Sequence, residues 1–156
     1  IFTGPASEHD KDSVHVSDFM ESPGIHAVCG DTSAHIVARE TDRKLTMESD
    51  NQSLIAPPQY FIEGIKLVSE GAVTLNQVYN IIDEASEDIS EYSSVSTLYS
   101  LLHSVDRVNI FYGTACNKGH GDIAFTQRGI LPRDKILPLI IDRLEDYGKT
   151  VVLKKY

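Results

Sequence analysis

The chain has 156 residues, enough for one domain with a hydrophobic core, and its hydrophobic fraction of 41% is ordinary for a globular protein. Its 23 acidic and 14 basic residues give a formal charge of −9, which disfavours binding to nucleic acid or to an anionic membrane. No apolar segment reaches the roughly 18 residues that span a bilayer. Cys29 and Cys116 are too far apart in the chain to indicate a zinc site or a disulfide framework. These features predict a cytoplasmic protein with reduced thiols.

The first half of the chain alternates short apolar segments, typical of strands, with segments of helical periodicity. The expected elements, in chain order, are a strand at Ile1–Thr3, a helix at Val14–Met20, a strand at Ile25–Cys29, a turn at Gly30–Ser33, a helix at Ala34–Glu40, a strand at Lys44–Met47, a loop at Asp50–Pro58, and strands at Tyr60–Ile62 and Ile65–Val68.

The second half opens on the clearest helical pattern. Thr74 and Gln77 have the spacing of a capping box, and apolar residues recur behind them at helical intervals as far as Ala85. The elements expected after it are an acidic loop at Ser86–Ser94, a helix from Val95 to Val105, a strand at Val108–Tyr112, a long loop from Gly113 to Leu131, a helix at Arg133–Tyr147 that ends at Gly148, and a strand at Thr150–Leu153. This alternation predicts a single three-layer α/β domain over residues 1–156, with a mostly parallel sheet flanked by helices.

The first candidate binding site is the turn Gly30-Asp31-Thr32-Ser33, between a predicted strand and a predicted helix. Glycine permits a tight turn, and free backbone N–H groups at a helix start can hold an anion, with the hydroxyls of Thr32 and Ser33 as further donors. Ligands of open α/β sheets also bind beyond the carboxyl ends of the strands. The same residues fit a simple helix cap, and Asp31 places negative charge where an anion would sit. Both interpretations stay open.

The second candidate is the glycine-rich segment that runs from Gly113 to Asp122. Gly113 and Thr114 follow a predicted strand, and Asn117, His120 and Asp122 are residue types that orient ligands or bind metals. The alternative is a surface loop whose polar side chains satisfy its own backbone. Because a closed metal site needs further ligands that no motif nominates, no metal is assigned to this loop.

Short motifs along the chain occur in the order Thr3-Gly4-Pro5, Val28 to Arg39, Ile62-Glu63-Gly64-Ile65, Glu70-Gly71, Thr74-Leu75-Asn76, Phe111 to Asn117 with His120, and Gly148-Lys149 with Val151. In this order they resemble a segment that follows the catalytic domain in bacterial SpoIIE-type protein serine/threonine phosphatases. The resemblance covers nearly the whole chain. The chain departs from the family pattern at Asp31 and Ser33, where the family has Gly and Thr, and at Lys118, where it has Pro.

The resemblance implies that residues 1–156 form a non-catalytic, C-terminal accessory segment of a longer phosphatase-like protein. The neighbouring catalytic domain would use Mn²⁺ or Mg²⁺. The aspartate motifs of that catalytic domain have no match here, so no catalytic residue and no cofactor is assigned to this chain. The implied partners are an N-terminal phosphatase domain or phosphoprotein pathway partners, together with a small anionic ligand.

Three functions remain open from the sequence. The first is a regulatory module that binds a small anion, and the second is a phosphate-handling hydrolase that uses the loop of residues 113–122. The third is a structural module that forms a homodimer through the last strand, Thr150–Leu153. If the Gly30 turn and the Gly113 loop converge on one cleft, the first function is favoured.

Overall fold

The computed structural model describes residues 1–47, 59–85, 93–115 and 127–156. The strands within these ranges are β1 (Phe2–Thr3), β2 (Ala27–Cys29), β3 (Thr46–Met47), β4 (Gln59–Phe61), β5 (Leu67–Ser69), β6 (Arg107–Tyr112) and β7 (Thr150–Lys155). The helices with defined bounds are α1 (Asp12–Glu21), α2 (Asp31–Glu40), α3 (Ala72–Ile81), α4 (Ser94–Ser104) and α5 (Arg133–Asp146).

The strands form one seven-stranded sheet in the order β3-β4-β5-β2-β1-β6-β7. The five strands from β5 to β7 are mutually parallel, whereas β4 runs antiparallel to both β5 and β3. The predicted mostly parallel α/β domain is therefore confirmed. Because the central strands share one direction, β5, β2, β1 and β6 all end at the same edge of the sheet, where ligands bind in open α/β folds.

Each face of the sheet carries its own hydrophobic core. On β2, Val28 packs with α1 and α2, while its neighbours Ala27 and Cys29 pack on the other side with α3, α4 and α5. This alternation follows from the two-residue period of strand side chains. Phe2 and Phe111 extend the first core, and Ile110 extends the second. The sheet is thus held between two helical layers, which fixes the ends of its parallel strands.

Two helices begin earlier than the sequence pattern predicts. The expected turn at Gly30–Ser33 is limited to Gly30, because α2 already begins at Asp31. The prediction that Thr74 and Gln77 form a capping box at the start of α3 is wrong, because α3 begins at Ala72, directly after Gly71. The carboxylate of Glu70 accepts a hydrogen bond from the backbone N–H of Val73 at 2.8 Å and takes over the capping role.

The remaining element predictions agree with the described residues apart from their bounds, except that Gln127, inside the expected loop from Gly113 to Leu131, is helical. A capping box does occur, but at α4, where Ser93 and Ser96 exchange side-chain and backbone hydrogen bonds. Gly148 follows α5 with a φ of +74°, as expected for the residue that ends a helix. The expected loop at 50–58 lies outside the described residues, as do positions 86–92 of the acidic loop and 116–126 of the long one. No helix of the described ranges is long and apolar enough to cross a membrane.

Candidate functional site

A cleft of about 140 Å³ lies beyond the carboxyl ends of β1, β2 and β5. Its lining comes from the residues that follow these three strands and from the start of α5: Pro5, Gly30, Asp31, Thr32, Ser33, Glu70, Gly71, Ala72 and Arg133. The four predicted residues of the Gly30–Ser33 segment are all part of it. The parallel sheet therefore brings together segments that are distant in the sequence.

Two glycines allow the connections that follow β2 and β5 to touch. Gly30 has a φ of +135°, and a Cβ atom there would lie 2.8 Å from Oγ of Ser33. A Cβ atom on Gly71 would lie 3.1 Å from Cα of Gly30. The backbone N–H of Gly30 donates to the carbonyl of Ser69 at 2.8 Å, which joins the two connections directly. Larger residues at either position would push the walls of the cleft apart.

Ser33 and Thr32 have different surroundings. Ser33 is buried, and its Oγ accepts a hydrogen bond from the backbone N–H of Gly4 at 2.7 Å. This bond ties the first turn of α2 to the end of β1. Thr32 is exposed at the mouth of the cleft. Thr32 is therefore free to offer its hydroxyl to a ligand, whereas the Ser33 oxygen mainly holds the wall in place.

Three helices begin at the cleft, because Asp31, Ala72 and Arg133 are the first residues of α2, α3 and α5. The preceding residues Gly30, Gly71 and Pro132 form no side-chain hydrogen bond to these first turns. Helix starts carry partial positive charge and free backbone N–H groups. The carboxylate of Glu70 already caps α3, so the starts of α2 and α5 are the ones that favour a further negatively charged group.

Arg133 supplies the cationic side chain of the lining. Its guanidinium packs over the glycine of the first motif, since a Cβ atom on Gly4 would lie 2.4 Å from Cζ of Arg133. The same group lies 5.6 Å from the ring centre of Tyr112. Burial lowers the pKa of the Arg133 guanidinium. Its Nε is buried and has no hydrogen-bond partner within the described part of the chain.

Two carboxylates stand on the other side of the cleft. Asp31 keeps 57% of its side chain exposed and has a long contact with His35, 3.7 Å between Oδ1 and Nε2. Burial, and then the negative charge of Asp31, raise the pKa of Tyr60, so the Tyr60 hydroxyl lies beside Asp31. Glu70 is the residue that caps α3. Over the described ranges, no group of three or more His, Cys, Asp or Glu residues is arranged to hold a metal ion.

The predicted residues Gly113 and Thr114 lie at the same edge of the sheet as the cleft, after β6, which is the neighbour of β1. The N–H of Gly113 donates to the carbonyl of Thr3 at 3.0 Å, and a Cβ atom on Gly113 would lie 2.1 Å from the carbonyl oxygen of Pro5. The Thr114 hydroxyl donates to the carbonyl of Tyr156 at 2.7 Å. The described start of this loop thus borders the wall formed by Pro5. Asn117, His120 and Asp122 lie outside the described residues.

Arg133 and Glu70 line the cleft but were not among the site residues predicted from the sequence. Arg133 follows Pro132 and opens a predicted helix, a position at which an arginine side chain can reach a neighbouring strand end. That was a usable signal, but only the strand order brings it beside Gly30. Cys29 lies next to the site and is fully buried, and burial raises the pKa of its thiol to about 11. It therefore stays protonated and unreactive at neutral pH.

Comparisons with protein-family models, curated proteins and solved structures give no match to this chain. The SpoIIE-type resemblance of the sequence motifs therefore stays a prediction. The candidate function rests on the cleft itself, whose lining combines helix starts, hydroxyl groups, two carboxylates and a partly buried arginine.

Proposed function

We propose that this domain is a non-catalytic module that binds a small ligand through an anionic group in the cleft beside Arg133. The observation that carries the proposal is the buried Nε of Arg133, which has no partner in the described part of the chain. An unpaired buried donor costs about 1–3 kcal/mol, more when it is charged. Because Arg133 lines the cleft, a phosphate or carboxylate oxygen there would accept from its guanidinium and offset part of this penalty.

The surrounding backbone supports the same ligand class. The starts of α2 and α5 place partial positive charge at the cleft, and Thr32 adds an exposed hydroxyl donor. The location, beyond the carboxyl ends of parallel strands, is the usual ligand position in such sheets. A volume of about 140 Å³ suits a phosphate group with a few attached atoms rather than a whole dinucleotide.

A regulatory role follows from combining this cleft with the sequence resemblance. The resemblance implies a neighbouring SpoIIE-type phosphatase domain, and ligand binding here would bias that domain or its phosphoprotein partners. A ligand can do so only to the extent that it binds two states of the assembly with different affinity. In this proposal the chain itself has no catalytic residue, and Mn²⁺ or Mg²⁺ belongs to the neighbouring domain.

Titration calorimetry on the 156-residue chain tests the proposal. The probes are inorganic phosphate, AMP, glucose 6-phosphate and phosphoethanolamine, which share a phosphate group and differ in the rest. We expect at least one of them to bind, and we expect Arg133→Gln to weaken it about tenfold or more. Lys135→Gln is the matched control, because Lys135 is an exposed cation two residues further along α5. Absence of binding by all four probes, or equal affinity in Arg133→Gln, would refute the proposal.

The same samples test the hydrolase alternative. A hydrolase built on residues 113–122 would release phosphate from p-nitrophenyl phosphate with Mn²⁺ present, and His120→Ala would abolish the release. A ligand-binding module releases none. Turnover that depends on His120 would therefore replace the binding function by a catalytic one.

An exposed sheet edge favours a second candidate, the homodimer. Within the described residues, β7 pairs with β6 alone and forms one edge of the sheet. The N–H groups of Thr150 and Tyr156 point to the β6 side, so that of Leu153 points outward, and Leu153 is 38% exposed. Light scattering distinguishes the dimer from the monomer. A dimer that Leu153→Pro dissociates supports edge pairing, and a monomer at all concentrations refutes it.

A further inference from the structure

The side chains that line the cleft have a net negative charge, which is unfavourable for a ligand that is only an anion. The described lining contains one cation, Arg133, and two carboxylates, Asp31 and Glu70, so their formal charges sum to −1. Two unit charges about 4 Å apart interact by about 1 kcal/mol in water and by about 4 kcal/mol near a protein surface. The carboxylates therefore oppose part of what Arg133 and the helix starts contribute. A ligand with negative charge alone fits this cleft poorly.

The opposite charges are separated along the sheet. Glu70 follows β5 and Asp31 begins α2 directly after β2, whereas the Arg133 guanidinium lies over Gly4 at the end of β1. The strands are neighbours in the order β5-β2-β1, and neighbouring strands lie about 4.8 Å apart. The negative and positive sides of the cleft are thus separated by roughly 5–10 Å.

Both carboxylates have acceptor capacity left over. In the described part of the chain, the Glu70 carboxylate accepts one hydrogen bond, at Oε2 from the N–H of Val73, and Asp31 has a long contact with His35 and the Tyr60 hydroxyl nearby. An ionised carboxylate offers about four lone-pair sites. An ammonium group carries three donors and a positive charge, so it satisfies both carboxylates better than a neutral hydroxyl does.

Resting on the anion-binding function above, we propose that the ligand is a small zwitterion that carries a phosphate and an ammonium group. Its phosphate faces Arg133 and the starts of α2 and α5, and its ammonium group faces Asp31 and Glu70. A short linker between the two groups matches the separation across the strand ends. The carboxylate at Asp31, which opposes a simple anion, becomes in this arrangement a determinant of specificity.

The test compares two molecules that differ only in the amine. Phosphoethanolamine and ethyl phosphate are titrated separately into the 156-residue chain at pH 7.5, with EDTA present so that no divalent cation bridges phosphate and carboxylate. We expect phosphoethanolamine to bind at least tenfold more tightly. Asp31→Asn and Glu70→Gln should each reduce this preference to about threefold or less. Gln at position 70 keeps an oxygen for the Val73 N–H, so α3 remains capped.

The control and the outcomes separate the two proposals. Glu63→Gln removes an exposed carboxylate outside the cleft and should leave the preference unchanged. Equal affinity for the two molecules overturns the zwitterion proposal and leaves anion binding intact. Binding of AMP or glucose 6-phosphate without binding of phosphoethanolamine has the same meaning. If none of these molecules binds, the anion-binding function fails as well.

Discussion

The hydroxyl oxygen of Ser33 accepts a hydrogen bond from the backbone N–H of Gly4 at 2.7 Å, and both residues are buried. The bond joins the first turn of α2 to the residue that follows β1, across 29 positions of the chain. It holds together the two connections between which the cleft opens. The shape of the candidate site therefore depends on one side-chain to backbone contact.

Removing this contact should destabilise the domain. Ser33→Ala leaves the buried N–H of Gly4 without an acceptor, and we expect the free energy of unfolding to fall by about 1–3 kcal/mol. Urea unfolding followed by circular dichroism measures the change. Thr32→Ala is the control, because Thr32 is exposed and should change stability by less than about 0.5 kcal/mol. A Ser33→Ala variant as stable as the parent would show that the bond contributes nothing to the free energy of unfolding.

The close approach of the β6 connection to β1 leaves no room for a side chain. In Gly113→Ala the added Cβ would lie 2.1 Å from the Pro5 carbonyl oxygen and 2.2 Å from that of Gly4. We expect a loss of more than about 3 kcal/mol, since backbone must move to relieve the clash. Gly129→Ala is the control, because its Cβ would meet no atom of the described residues within 4 Å, and the strain of a φ of +66° remains. Equal thermal stability of the two variants would contradict this account.

A buried histidine makes stability depend on pH. His15 is fully buried between the rings of Phe2 and Tyr156, with centroid distances of 4.1 and 4.2 Å, and neither ring nitrogen has a partner in the described structure. Burial lowers its pKa to about 4, against an ordinary value near 6.5. Between these two values the unfolded chain binds the proton more readily. The free energy of unfolding should therefore fall as the pH drops from about 6.5 towards 4.

The variant that isolates this effect is His15→Phe, which keeps an aromatic ring in the stack. The shift of His15 corresponds to about 3 kcal/mol at most, lost as the pH falls through that window. We expect the difference in stability between His15→Phe and the parent to grow by an amount of this order between pH 7 and pH 4.5. His35→Gln, at an exposed position, should show the pH dependence of the parent. A constant difference between His15→Phe and the parent would contradict the assignment.

Lys149 ties the end of α4 to the connection before β7. Its ammonium group donates to the carbonyls of His103 at 3.0 Å and Val105 at 2.7 Å, where a helix C-terminus favours positive charge. We expect Lys149→Met to lower the free energy of unfolding by about 1 kcal/mol. Lys155→Met, at an exposed position at the end of β7, is the matched control and should be close to neutral. The two variants are compared by their urea midpoints, and identical midpoints would contradict the capping role.

Much of the fold could be predicted because short apolar segments and helical intervals are local signals. Ile25–Cys29 and Val108–Tyr112 predict strands from composition alone, and Gly148 predicts a helix end. The start of α3 could not be predicted from Thr74 and Gln77, because the carboxylate of Glu70 caps it instead. The capping-box spacing considers only residues three positions apart at the expected helix start. It does not include Glu70, whose carboxylate accepts from the Val73 N–H.

The site was predictable only in part, for a different physical reason. The Gly30–Ser33 segment shows the local pattern of a strand end followed by a helix start, so the sequence points to it. Arg133 and Glu70 reach the same cleft because β5, β2 and β1 are neighbours and run in parallel. Strand order is a property of the whole chain, and no local pattern contains it. The net charge of the cleft therefore could not be predicted from local sequence patterns.

The most direct measurement is an NMR titration of the isotope-labelled chain with phosphoethanolamine. We expect the backbone amide shifts of Gly30–Ser33, Gly71 and Ala72 and the shift of the Arg133 Nε proton to change, while the amide shifts of β7 stay unchanged. Shifts that leave these residues unaffected, or that persist unaltered in Arg133→Gln, would contradict the binding site.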